Sequence, residues 1–153
     1  MTQHTNGVVI SLGLVRKLRE LNFQNSLTGA LKLTHDAFDY LDGDGIREYD
    51  RLYPLSANSF SRESGRLTAR VMKLTSYLLA VRSLQEGLIS GEEFLNERGR
   101  MKMDTPEVIT AYLGVLPERM KSLRDRSLEL RTSVDKLDQS MMAHFNSVQK
   151  KAG

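Results

Sequence analysis

The sequence predicts an all-α protein, a three-helix bundle with additional short helices. Three stretches predict it. From Ser56 to Glu86 nothing interrupts the chain until Gly87. There Phe60, Ser64, Leu67, Val71, Leu74, Leu78 and Val81 recur at three- and four-residue steps, on one side of an α-helix. From Leu116 onward, Met120, Leu123, Ser127, Leu130, Val134, Leu137 and Met141 alternate steps of four and three, a heptad seam. Between Asn22 and Asp42, Leu27, Leu31, Thr34, Phe38 and Leu41 form a stripe with Ala30 and Ala37 beside it. Strand-like patterning is confined to a short N-terminal apolar run.

Composition sets the limits. A chain of 153 residues fits a single domain, and 40% hydrophobic residues can form a core without covalent staples. With no cysteine, disulfides, thiolate metal sites and cysteine nucleophiles are excluded. The net charge of +3 permits an acidic protein or nucleic acid as partner and requires neither. The opening MTQHTNGVVISLGLVRK lacks basic residues before its short apolar run, which makes it a poor signal peptide. No stretch reaches the roughly 20 apolar residues of a spanning helix. A soluble, cytoplasmic protein is the expectation.

In chain order, residues 1–22 form an N-terminal segment. Val8 to Leu21 reads as a short helix weakened by Gly13, with a β-strand at its apolar start as the competing reading. The bundle domain spans 23–148, with its main helices at about 23–42, 55–86 and 116–148. Asn22 or Asn25 is placed to cap the first. Asp42-Gly43-Asp44-Gly45 ends it in a turn. That loop fails as a calcium site, since the fifth and twelfth positions would be Ile46 and Tyr53. Ile46 to Tyr53 is a short helical or irregular link closed by Pro54, which suits a first helical turn. Gly87 is a left-handed stop. Ser90 and Glu93 have the capping-box spacing for a short helix to about Met101. Thr105-Pro106 reads as the start of another short segment, with a boundary at Gly114 and Pro117. Residues 149–153 are expected to be a flexible tail.

The long central helix carries more than one sector. Met72, Leu79, Thr68 and Thr75 form a second apolar side, so more than one neighbour should cover it. Arg62, Arg66, Arg70 and Lys73 line up as a basic sector, suited to an acidic partner or a phosphate backbone, or simply to solvent. Ser64, Gly65, Thr68 and Ala69 are small. A helical glycine costs about 1 kcal/mol relative to alanine, which points to a close neighbour at Ser64, Gly65, Thr68, Met72 and Leu79: another helix, or a second subunit in a homodimer.

Nothing in the sequence builds a reaction centre. His4, His35 and His144 lack second ligands at metal spacing, so no metal and no cofactor is expected. His35 and Asp36 are neighbours on a helix and point about 100° apart, which argues against a proton-transfer pair. There is no phosphate loop and no nucleophile elbow.

The central stretch resembles the RcdA family, small helical-bundle proteins of alphaproteobacteria. The resemblance rests on Glu63-Ser64, Arg66-Leu67-Thr68, Arg70, Met72, Ser76, Leu78-Leu79, Arg82 and Gly87. Tyr40-Leu41-Asp42 before the glycine loop, and Leu116-Pro117, Ser127, Leu130 and Leu137-Asp138 later, are similar too. Tyr77 departs from an expected Trp, and Val81 from an expected Gln. The resemblance implies a dimeric three-helix bundle without catalytic residues, an adaptor in regulated proteolysis. Its implied partners are the ClpXP protease, a response-regulator-type priming factor and transcription-factor cargo such as CtrA. The competing expectation is a basic helical nucleic-acid-binding protein using Arg62, Arg66, Arg70 and Lys73.

Overall fold

The computed structural model describes residues 12–109 and 115–153. Its described residues form six helices and no strand. These are α1 (Leu12–Glu20), α2 (Phe23–Asp42), α3 (Asp44–Asp50), α4 (Pro54–Gln85), α5 (Gly91–Arg100) and α6 (Glu118–Lys151). The three long helices α2, α4 and α6 pack on one another; α1 rests on α2 and α6, and α5 on α4. The strand reading of the chain's start falls largely on residues 1–11, outside those described. From Leu12 the segment is helical and buries Leu14 and Leu18. Gly114, one of the expected boundary residues, also lies outside.

The boundaries follow local chemistry. Pro54 opens α4 at its first turn, and Gly87, at φ 71°, closes the helix as the left-handed stop. Ser90 and Glu93 form the reciprocal capping box at α5. Asn22 is no side-chain cap: it sits in the left-handed region at φ 57° and makes the tight bend between α1 and α2. The glycine loop is tighter than a turn alone requires, because α3 begins at Asp44. A Cβ on Gly45 would lie 2.6 Å from the Tyr40 carbonyl oxygen, so only glycine lets α3 fold back onto the end of α2. No helix begins at Thr105-Pro106: those residues lie in an irregular strap. At the other end, α6 keeps helical geometry through Lys151, beyond the expected end at 148.

Two apolar clusters fill the bundle. One joins α1, α2, α4, α5 and α6 around Leu27, Tyr77, Phe94, Val134 and Met141; the other joins α2, α4 and α6 around Leu33, Tyr40, Leu67, Leu116 and Met120. The heptad seam lies along this core, with every member buried except half-buried Leu130. On α2 the expected stripe is rotated. Phe23, Leu27, Ala30, Leu33, Ala37 and Tyr40 face inward, while Leu31 and Phe38 are 46% and 38% exposed. The charged flanks of α6 also do more than pair locally. Arg124 lies 3.2 Å from buried Glu63, Arg126 bonds Asp36 at 2.8 Å, and Arg119 bonds Asp44 at 3.0 Å. These pairs tie α6 to α4, α2 and the glycine loop.

Candidate functional site

Two surfaces concentrate the unusual features of this fold: an arginine-lined groove between α4 and α6, and an apolar face on the outside of the α2–α4 layer.

The groove is built on Arg70, which is only 4% exposed. Its position on α4 turns it towards α6, where Ser127 interrupts the apolar seam. Arg70 Nη1 donates to Ser127 Oγ at 2.7 Å, leaving the rest of the guanidinium for Glu107. Nε lies 3.0 Å from both carboxylate oxygens, and Nη2 donates to Oε1 at 2.5 Å. Arg131 adds a bond to Oε2 at 3.1 Å. Burial alone would raise the Glu107 carboxyl, but the bonds and charges of Arg70 and then Arg131 outweigh it and hold the group below its ordinary value.

About two turns further along the bundle is a second polar knot. Asp138, in α6, accepts from the Tyr77 hydroxyl at 2.9 Å and from Arg98 Nε and Nη2 at 2.7 Å each. Arg98 also donates to Asp104 at 2.9 and 2.6 Å. Burial, followed by the Asp138 charge, keeps the Tyr77 hydroxyl protonated far above the ordinary tyrosine range. The bonds from Arg98 lower Asp104. A strap, residues 101–107, therefore crosses the groove with one carboxylate in each knot. Lys73 Nζ holds it a third time, donating to the Lys102 carbonyl at 3.0 Å. Cavities of about 350 Å³ open on each side of the strap, and Arg70, Lys73 and Glu107 line both.

The expected basic sector is thus divided. Arg62 is exposed, and Arg66 is half-exposed with its guanidinium 3.9 Å from Glu63. Arg70 is inside and Lys73 is tied to the strap, so the four do not form one open cationic face. Charge at helical spacing had suggested solvent; the buried acceptors come from residues distant in sequence. Sequence reasoning missed Arg98, Glu107, Arg131 and Asp138. A serine at position 127 of an otherwise apolar seam was the available signal.

The second surface contains the small-residue set. Thr34 and Thr75 meet across α2 and α4, their hydroxyls 3.0 Å apart. Helical geometry puts Leu31 and Phe38 beside Thr34, and Met72 and Leu79 beside Thr75, all on the side away from the core. Met72 and Leu79 are 55% and 43% exposed, so among the described residues these two members of the second apolar side of α4 are left uncovered, while Thr75 is buried against α2. Ser64 donates to the Phe60 carbonyl and Thr68 is half-buried. Gly65 is exposed with no atom within 4 Å of a would-be Cβ, so none of the described helices is the close neighbour.

His35 does not form a proton-transfer pair. Its Nδ1 is 3.7 Å from Asp36, whose carboxylate is engaged by Arg126. Among the described residues no three His, Asp or Glu gather as metal ligands would, and no helix is long and apolar enough to cross a membrane.

These features define a small helical bundle whose distinctive chemistry lies in an arginine-lined groove and an exposed apolar face. It belongs, as a divergent RcdA-like member, to the family described as "Protein of unknown function (DUF1465)", whose model matches residues 15–152. The crystal structure of RcdA from Caulobacter crescentus CB15 is similar at a TM-score of 0.65 and 30% sequence identity, over 78% of this chain and 89% of that one. Comparison with curated protein sequences finds no match.

Proposed function

We infer that this protein is a non-catalytic adaptor in ClpXP-dependent proteolysis during cell-cycle control, joining a primed protease to transcription-factor cargo. The observation that carries the reading is the likeness to RcdA, at 30% identity over most of both chains. The polar positions that carry the family resemblance in the sequence, among them Glu63, Arg70, Ser127 and Asp138, support it, because in this chain they form an inter-helix network beside the groove. An adaptor needs no bond chemistry: two surfaces that hold protease and cargo together raise the local cargo concentration. The outer α2–α4 face, with Ser64, Gly65, Thr68, Met72 and Leu79, fits a homodimer contact, and exposed Arg62 with Arg66 a protein partner. Nucleic-acid binding is less well supported, since Arg70 and Lys73 are engaged within the chain.

The test is a reconstituted degradation reaction containing ClpXP, a response-regulator priming factor and a CtrA-type cargo. Added protein is expected to accelerate cargo loss only when the protease is primed. Unchanged rates, together with no binding to the primed protease, would overturn the assignment.

A further inference from the structure

We propose that the α4–α6 groove is a binding site for an acidic peptide, and that the strap's Asp104 and Glu107 are its built-in competitor. Glu107 sits in the Arg70–Arg131 cradle as a ligand would. Its carboxylate takes four nitrogen contacts within 3.1 Å, and the Arg70 side chain beneath it is almost wholly buried. Asp104, three residues earlier, occupies the adjacent Arg98 site.

Charge favours an acid-bearing occupant. Without the strap's two carboxylates, the groove keeps Arg70, Lys73, Arg98 and Arg131 against Asp135 and Asp138, four positive charges against two. Buried guanidiniums left without carboxylates are costly, so some acid must fill the site. Bidentate recognition by arginine suits a carboxylate.

The strap is held in a way that permits exchange. Met101 and Met103 are half-buried against the core, but from Asp104 to Ile109 no apolar side chain is buried. Over that span the attachment is the ion pairs themselves. A peptide in extended form with two acidic side chains three residues apart would replace every one of them. The strap's closed fraction lowers the apparent affinity for such a peptide, and weakening the strap restores it. This goes beyond the adaptor reading and does not depend on it, since it concerns only what the groove accepts.

The probe is a fluorescein-labelled peptide with the sequence of residues 102–109, titrated by anisotropy at low salt. Against D104N/E107Q protein, affinity is expected to rise about tenfold or more over wild type. It should fall back when Arg131→Gln is added, and vanish for a peptide carrying Asn and Gln in place of the two acids. E107Q alone gives the same comparison should the double variant lose its cooperative melt. In wild-type protein, saturating peptide should speed amide exchange in residues 102–109 and leave α4 and α6 unchanged. Equal affinity for wild type and the strap variants, equal binding of the neutral peptide, or strap exchange unmoved by bound peptide would each overturn the proposal. Binding of a single-stranded oligonucleotide as tightly as the acidic peptide would overturn the choice of ligand.

Discussion

Arg98 and Asp138 hold each other through two hydrogen bonds of 2.7 Å, joining α5 to α6, and Tyr77 brings α4 to the same carboxylate. Both charged side chains are nearly buried, at 9% and 12% exposure. Removing one member of such a pair takes from the other its nearly buried counter-charge, at a cost of about 3 kcal/mol. Arg98→Ala should therefore lower the urea midpoint strongly, whereas Tyr77→Phe should cost about 1 kcal/mol. A double-mutant cycle on Arg98 and Asp138 should show coupling; additive effects would mean that the two act separately.

The close approach at Gly45 gives a second expectation. Its Cβ position lies 2.6 Å from a backbone oxygen, which has no flexible end to swing away. Gly45→Ala should destabilise by about 2 kcal/mol, as overpacking does. Gly65→Ala, with no atom of the chain's described residues within 4 Å of its Cβ, should stabilise the monomer by about 0.5 kcal/mol or more through helix propensity. Thermal melts of the two variants should move in opposite directions.

Acid should loosen the strap. Glu107 is held below its ordinary value of 4.5 in the folded protein, so its contribution is complete above that value and is lost as pH falls through the lowered one. Asp104 is lowered from 3.8 in the same sense. The difference in melting temperature between wild type and D104N/E107Q should hold steady from neutral pH down to about 5. It should then shrink with further acidification. A difference that grows towards acid pH would contradict the ion-pair attachment.

On the opposite side, Met72 and Leu79 flank Thr75 and stay exposed among the described residues. For a homodimer contact there, Met72→Lys with Leu79→Lys should shift sedimentation from dimer to monomer at micromolar concentration and leave helicity unchanged. Wild-type protein that sediments as a monomer at every concentration would exclude the contact.

The two longest helices were legible because their signals are local. Pro54, Gly87 and the steps from Leu116 to Met141 depend only on neighbouring residues. On α2, apolar residues cover too wide an arc for periodicity to choose a face, and packing buried Leu33 and Tyr40 while leaving Leu31 and Phe38 outside. The groove was least legible. Arg70 finds its acid 37 positions away and its hydroxyl partner 57 away, and helical spacing contains neither distance. Arg70 therefore read as a surface charge.

The bond between Arg70 and Ser127 also fixes how far along its axis α6 can lie. A heptad seam repeats, and a slide of one heptad, about 10 Å, would set most of its apolar side chains against apolar side chains again. Within the seam, position 127 alone distinguishes one setting from the next. After such a slide Arg70 would meet Met120 or Val134, and a buried guanidinium N–H would have no acceptor. The serine works as the key in a shaft: it adds little grip, but it admits only one alignment, the one that brings Arg131 to Glu107 and Asp138 to Tyr77.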